Sequence, residues 1–244
     1  MSSALTKLDR RAGESLFARL EPRLPSVSKP IQYVGGELNA SLKEWDCGAG
    51  EDGRGETVRW ALMYPDAYEV GLPNQGVQIL YELLNERADA LAERCYAVWP
   101  DLEALMREHG VPAFTVDGHR PIAAFDVLGV SFSTELGYTN LLTTLDLAGI
   151  PLHADRRSEE HPIVLAGGHA AFNPEPIARF VDAVAIGDGE EIVGDVTDVV
   201  REWKAAGGTR AELLRRLAAV EGCYVPSLYA VTYGADGALA SVEP

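Results

Sequence analysis

The sequence predicts an α/β protein built on a doubly wound parallel sheet. Two observations support this prediction: short apolar segments of strand length recur five times after residue 57, and amphipathic helical patterns separate them. The segments are too continuously apolar to keep one face in water, so we expect a parallel sheet with helices on both faces. Five strands alternating with helices in this way are typical of the flavodoxin-like arrangement.

The predicted strands and helices alternate in chain order. The strands are expected at residues 58–64, 95–99, 126–132, 163–166 and 181–186. Between and after them, apolar residues recur at helical spacing, which predicts one buried face for each helix. The residues on these faces are Val77, Leu80, Tyr81 and Leu84; Leu102, Leu105 and Met106; Tyr138, Leu141, Leu142 and Leu145; and Ile192, Val196, Val199, Val200 and Trp203.

Flanking segments extend the predicted domain on both sides. The expected parts are an N-terminal extension at 1–57, the α/β domain at 58–207, and a linker helix with a β-hairpin at 208–244. Short helices are expected early in the extension, and residues 47–55 are rich in glycine and charge, which predicts a surface loop. Near the end, the turn sequence at 234–237 separates two strand-like segments, as in a hairpin.

The charge balance argues against two classes of partner. The chain has 21 Lys and Arg against 37 Asp and Glu, a formal net charge of -16, which repels nucleic-acid backbones and anionic lipid surfaces. No segment of the sequence resembles a signal peptide or reaches the ~18 consecutive apolar residues of a membrane span. Cys47, Cys95 and Cys223 are far apart, which fits reduced thiols and gives no metal-ligand spacing. We therefore expect a cytoplasmic protein with neither nucleic acid nor membrane as a partner.

Four loops are expected to meet at the carboxyl edge of the sheet, where doubly wound folds bind ligands. Glycines in these loops let backbone approach a ligand closely, and short hydroxyl side chains supply adaptable hydrogen bonds. The candidate binding residues, in loop order, are Asp66, Tyr68, Glu69 and Gly71; Ser131, Ser133 and Thr134; Gly167 and Gly168; and Gly187, Gly189 and Glu190. No residue of the chain is assigned a catalytic role.

The spacing Asp66-x-Tyr68-x-x-Gly71 resembles the Asp-x-His-x-x-Gly signature of cobalamin-binding domains, with tyrosine in place of the cobalt-ligating histidine. Two later segments extend the resemblance. Cobalamin modules have a serine-rich turn after a middle strand, similar to Ser131-Phe132-Ser133-Thr134, and a Gly-Gly after the next strand, similar to Gly167-Gly168. In those modules both segments pack around the nucleotide tail of the cofactor.

A more specific resemblance joins segments from across the chain. The phrases 33–39, 65–71, 172–176 and 186–191 together resemble the N-terminal part of a family of radical S-adenosylmethionine proteins with cobalamin-binding-like domains. In that family a catalytic barrel follows, where a Cys-x-x-x-Cys-x-x-Cys motif holds a 4Fe-4S cluster that cleaves S-adenosylmethionine. This sequence lacks the motif. The resemblance therefore implies a domain that presents cobalamin to a following radical S-adenosylmethionine domain, which would hold the cluster and the S-adenosylmethionine.

Tyr68 changes the expected mode of cobalamin binding. A phenol with a pKa near ~10 is neutral and a poor ligand at neutral pH. We therefore expect cobalamin with its dimethylbenzimidazole displaced from cobalt and no protein nitrogen in its place, which would suit methyl transfer. His169 is a candidate substitute ligand. The structural alternative is that Tyr68 packs over the sheet edge and Asp66 caps the next turn.

Two other functions of related architecture are disfavoured. A response-regulator receiver needs an aspartate after the third strand and a lysine after the fifth, where this chain has Ser131 and Gly187. A serine hydrolase would use Gly-x-Ser-x-Gly at a strand-to-helix turn, but Ser133 stands at the last glycine position.

One alternative of a different class stays open. The domain would have lost cobalamin and would serve substrate binding or domain interaction. This alternative predicts that large side chains such as Phe132, Tyr138 or Phe172 fill the cofactor cavity, whereas the cobalamin hypothesis predicts an open cavity.

Overall fold

A computed structural model of the chain describes residues 13–47 and 56–243. The first residues of the extension, and residues 48–55 of the loop predicted at 47–55, lie outside these described ranges. Within them, the chain forms a mixed sheet flanked by helices and a separate two-stranded hairpin near the C-terminus. The predicted α/β fold is confirmed.

The described sheet has six strands in the order β2-β1-β3-β4-β5-β6. The strands are β1 Val58–Tyr64, β2 Ala90–Tyr96, β3 Val127–Ser131, β4 Ile163–Gly167, β5 Ala183–Ala185 and β6 Cys223–Tyr224. The first five strands are mutually parallel, with the 2-1-3-4-5 order of flavodoxin-like folds. β6 is an antiparallel edge strand beside β5 that the sequence pattern did not predict.

Helices cover both faces of this sheet. The described α-helices are α1 Gly13–Leu20, α2 Tyr68–Gly71, α3 Gln75–Glu86, α4 Pro100–His109, α5 Tyr138–Ala148, α6 Gly189–Ala206 and α7 Arg210–Leu217. Helices α3, α6 and α7 pack on one face, and α4 and α5 pack on the other together with residues 16–33 of the extension. Asn74 begins α3 by accepting a hydrogen bond from the Val77 N–H at 3.0 Å, and Gly149 ends α5 in the left-handed region.

The second strand was predicted at the wrong place, at 95–99 instead of Ala90–Tyr96. Its middle contains two charged residues, Glu93 and Arg94, which are both buried. Arg94 donates to Asp117 at 2.7 Å, and Glu93 pairs with Arg120. The loop after α4 thus covers the edge strand and supplies a partner for each charge, so a charged segment lies within the sheet.

The order in which successive strands are added to the sheet reverses between β1 and β3, although these two strands are parallel. The longer of the two helices between β1 and β2, α3, lies on one face, and the helix between β3 and β4, α5, lies on the opposite face. This divergence leaves a crevice at the carboxyl ends of the two strands, which is the usual ligand position in such folds.

The hairpin consists of β7 Ala230–Tyr233 and β8 Leu239–Glu243. Its position in the sequence agrees with the prediction of two strands around residues 234–237. Most of its residues are exposed, including Tyr233 and Leu239. Across the described residues, no helix is both long and apolar enough to span a bilayer.

Candidate functional site

A cavity of about 170 Å³ opens at the carboxyl edge of the sheet, between the central strands and helices α3 and α6. Its walls are mainly apolar, and glycines line much of its mouth. The larger apolar residues of the lining are Trp60, Leu62, Met63, Val77, Leu80, Val130, Leu165, Ile192 and Val193. The glycines are Gly76, Gly129, Gly167, Gly168, Gly187 and Gly189. The cavity therefore lies at the crevice that the strand order creates.

Two glycines of the lining differ in the space that a side chain would find. A Cβ at Gly129 would lie 3.2 Å from the side chains of Leu62 and Trp60, so this position is already crowded. A Cβ at Gly167 would meet only Ala185 within 4 Å, at 3.8 Å, so a larger residue there would take up open space. The volume of the cavity thus depends on glycine at position 167.

Gly168 lets two loops approach each other at the mouth. Its φ is +91°, and a Cβ there would lie 2.6 Å from the carbonyl oxygen of Phe132. The same oxygen accepts a hydrogen bond from the Ala170 N–H at 3.1 Å. Only glycine fits both the backbone angle and this approach, so it fixes the β4 loop against the β3 loop.

The polar groups of the cavity lie at its mouth. Ser131 is half-buried at the end of β3, and Glu190 is exposed in the first turn of α6. Deeper in, the Trp60 Nε1–H donates to Thr197 Oγ1 at 3.1 Å and is therefore already paired. Among the described residues that line the cavity there is no Lys or Arg. The site suits an apolar group inserted below a more polar one.

The predicted binding residues divide into two groups. Half of them line the cavity, namely Ser131, Gly167, Gly168, Gly187, Gly189 and Glu190. The others lie outside its lining, in α2 and in loops at the same edge of the sheet: Asp66, Tyr68, Glu69, Gly71, Ser133 and Thr134.

The side chains at and beside the Asp66-x-Tyr68 signature already have partners within the chain. The Tyr68 hydroxyl donates a hydrogen bond to the Glu37 carboxylate, and its ring packs edge-on against Tyr96 at 5.4 Å between centroids. Asp66 is exposed and accepts from the Ala67 N–H at 2.7 Å. Glu69 forms an ion pair with Lys29. The N-terminal extension therefore supplies partners for two of these side chains, at Glu37 and Lys29.

Gly71 has a packing role that the signature alone does not reveal. A Cβ at this position would lie 2.5 Å from the ring of Tyr96 and 3.0 Å from the Tyr64 Cβ. The absence of a side chain lets α2 lie directly on the end of β2. Glycine is thus explained at this position without a ligand.

The bulky residues named by the alternative hypothesis lie outside the lining of the cavity. Phe132 is buried in the core on the side of α5, and the Tyr138 hydroxyl donates to the Ala170 carbonyl at 3.1 Å. Phe172 is 62% exposed. His169, the candidate substitute ligand, is also exposed and outside the lining. The cavity is open.

Sequence reasoning missed the residues that form the deep walls. Trp60 and Leu62 alternate along β1, and Leu80 and Val193 belong to helices. The apolar pattern predicted burial for Trp60, Leu62 and Leu80, but burial against a cavity and burial against other side chains give the same pattern. Val193 was not among the residues predicted for the buried face of α6. Glu37 was missed because its partner, Tyr68, is 31 residues away in the chain. Within the described residues, no group of three or more His, Cys, Asp and Glu side chains is arranged to hold a metal ion.

Comparison with known proteins assigns the family. Residues 76–226, well over half of the chain, match the family described as "Radical SAM proteins, N-terminal". Searches of curated proteins and of solved structures found no match. The matched range contains all but the first residue of α3, all of α6 and strands β2 to β6, and so includes most of the cavity walls. The chain therefore belongs to the family of N-terminal regions of radical SAM proteins.

Proposed function

We propose that this radical SAM module binds cobalamin, with the nucleotide tail of the cofactor inserted into the cavity between the sheet and helices α3 and α6. The observation that supports this most strongly is the open space beside Gly167, which a side chain would fill. The apolar walls suit a flat aromatic base, and the exposed mouth suits a larger polar ring system. When bound, the cofactor would supply a cobalt centre that accepts and donates a methyl group.

The residues of the chain would hold the tail and leave cobalt without a protein ligand. Trp60, Leu80 and Leu165 would enclose the base, and the Ser131 hydroxyl would offer a hydrogen bond at the mouth. Tyr68 is unsuited to ligate cobalt because its hydroxyl already donates to Glu37. His169, exposed outside the lining, is the residue whose substitution tests this point.

The partner in this proposal is the catalytic domain of a radical SAM protein, which would hold the 4Fe-4S cluster and the S-adenosylmethionine. Apolar side chains exposed on the loops of the carboxyl edge support a contact there. They include Val70, Trp99, Leu136 and Phe172, and Leu136 is 85% exposed. Exposed apolar groups around a cavity mouth are typical of binding surfaces. The cofactor would then lie between the two domains.

The second candidate function is a domain-interaction module without cobalamin. The pairing of Tyr68 with Glu37 and the exposed apolar loops favour this function. The open cavity argues against it, because a domain without a ligand gains stability by filling such a space with side chains.

Retention of hydroxocobalamin through gel filtration tests the proposal, with two matched glycine variants. Gly167→Ala adds a methyl group to the cavity wall, whereas Gly194→Ala adds one to α6 at a site where only the Arg87 guanidinium lies within 4 Å. Overpacking costs about 1–3 kcal/mol, so we expect Gly167→Ala to weaken binding by roughly tenfold or more. Gly194→Ala should bind like the unchanged protein. Absence of retention at saturating cofactor would instead favour the interaction module.

A further inference from the structure

The deep end of the cavity offers no free hydrogen-bonding side chain among the described residues that line it. The Trp60 Nε1–H donates to Thr197 Oγ1 at 3.1 Å, and the Thr197 hydroxyl donates in turn to the Val193 carbonyl at 2.6 Å. The two other polar side chains of the lining, Ser131 and Glu190, lie at the mouth. A group that enters fully must therefore be able to do without polar partners.

The backbone groups around the deep end are also hydrogen-bonded already. β1 pairs with β3 from Trp60 to Met63, and β3 pairs with β4 along its whole length. The N–H and C=O groups of these central strands therefore bond to neighbouring strands. In α6, free N–H groups are confined to the first turn, which is at the mouth.

We propose that the cavity selects cobamides by their tail base, accepting benzimidazoles and rejecting purines such as adenine. This inference rests on the proposed function, because it concerns the base that occupies the same cavity. Both bases have one ring nitrogen that is released when the tail leaves cobalt. Adenine would bury an amino group and two further ring nitrogens, whereas dimethylbenzimidazole adds only methyl groups.

The difference in polar groups sets the size of the expected selectivity. A buried donor or acceptor without a partner loses its hydrogen bonds to water and gains none in return. One such group is enough to weaken binding about tenfold or more. The methyl groups of dimethylbenzimidazole place apolar area against the aliphatic walls and act in the same direction.

The test is a comparison of three ligands on the unmodified chain: hydroxocobalamin, its adenine-tailed counterpart, and cobinamide, which has no tail base. Dissociation constants are measured by gel filtration and by quenching of tryptophan fluorescence, since Trp60 lines the cavity. We expect cobalamin to bind most tightly and the adenine form at least tenfold more weakly, close to cobinamide. Equal or tighter binding of the adenine form would overturn the selectivity.

The same three ligands distinguish failure of the proposed function, cobalamin binding, from failure of the selectivity for the tail base. If none of the three ligands binds, both the proposed function and the selectivity fail. If cobalamin and cobinamide bind equally, the corrin is recognised without its tail, and the selectivity fails while corrinoid binding stands.

A pair of variants in α6 provides a second test. Val193→Asn introduces an amide into the cavity wall, and Val199→Asn introduces the same group into the same helix outside the lining. We expect the first variant, if folded, to reduce the preference for cobalamin over the adenine form several-fold, and the second to leave it unchanged. An unaltered preference in folded Val193→Asn would contradict the inference. If that variant does not fold, the ratio measured on the unmodified chain decides.

Discussion

The glycine at position 71 is explained by contact with one aromatic ring. A Cβ there would come within 2.5 Å of the buried Tyr96 side chain. We therefore predict that Gly71→Ala lowers the free energy of unfolding by about 1–3 kcal/mol, since the ring must move within a packed environment. Denaturant unfolding measures this change.

Gly194→Ala is the matched control for that measurement. Its added methyl group would have one neighbour, the Arg87 guanidinium at 3.9 Å, and glycine within a helix costs about 0.5–1 kcal/mol relative to alanine. The control should thus be as stable as the unchanged protein or slightly more stable. Equal losses in the two variants would show that Tyr96 is not the cause.

His119 gives stability a dependence on pH. It has a positive φ of 50°, lies between Phe17 and Phe114, and bonds through Nε2 to the Tyr33 carbonyl at 2.9 Å. Burial lowers the pKa of His119 and outweighs the opposite effects of the Tyr33 carbonyl and Asp117. Below pH 6.5 the unfolded chain therefore binds a proton that the folded chain resists, so stability falls as the pH decreases.

We predict that His119→Asn reduces this loss of stability between pH 6.5 and pH 4.5. Asparagine tolerates positive φ and can still donate to the Tyr33 carbonyl. The change in slope should be at most one proton, about 1.4 kcal/mol per pH unit. Burial also lowers the pKa of His161, which accounts for part of the remaining slope. An identical pH profile in the variant would refute a role for His119.

At the scale of elements, a buried carboxylate joins α7 to the sheet. Asp182 precedes β5, and its Oδ2 accepts hydrogen bonds from Arg157 and from the Val164 N–H, each at 2.8 Å. The same oxygen forms an ion pair with Arg210 at 2.8 Å. Arg157 and Asp182 are almost completely buried. The carboxylate thus provides a counter-charge for two guanidinium groups that lie away from water.

We predict that Asp182→Asn lowers the free energy of unfolding by about 3–5 kcal/mol, because the variant leaves buried cations without a counter-charge. Asp155→Asn is the control: its pair with Arg156 is exposed on both sides and 3.8 Å long, and such pairs contribute ~0–1 kcal/mol. Thermal or denaturant unfolding distinguishes the two variants. A small effect at Asp182 would mean that water or rearrangement compensates the arginines.

The elements that sequence reasoning placed well are those whose hydrophobic period matches their burial. Strands β1 and β4 begin and end within one residue of the prediction, and Val77, Tyr81 and Leu84 of the predicted face of α3 are buried. β2 was placed too late because Glu93 and Arg94 interrupt its apolar pattern, and their partners come from residues 115–120. The short antiparallel strand β6 has only two residues and leaves no periodic signal.

The sequence predicted where the site lies better than it predicted which residues contact one another there. The strand-to-loop rule placed six candidate residues at the cavity, including Gly167 and Glu190. The rule could not reveal that the Tyr68 hydroxyl donates a hydrogen bond to Glu37. This contact joins segments that are distant in the sequence, and it depends on how the extension folds. Likewise, the packing of Gly71 against Tyr96 becomes visible only when α2 lies on β2.

At the scale of the whole molecule, one edge of the sheet combines the features of a binding surface. The cavity opens there, glycine-bearing loops surround it, and exposed apolar side chains such as Leu136 and Phe172 project from neighbouring loops. The N-terminal extension reaches the same edge through Lys29 and Glu37. This arrangement motivates the proposal that the domain holds a cofactor and presents it to a catalytic partner.

The most direct test of the proposed function is the visible absorption spectrum of cobalamin retained by the purified chain. Insertion of the tail into the cavity removes dimethylbenzimidazole from cobalt, so we predict a displaced-base spectrum. Tyr68→Phe and His169→Ala should leave that spectrum unchanged, since the proposal gives cobalt no protein ligand. A base-coordinated spectrum, or no retained cobalamin at all, would contradict the proposal.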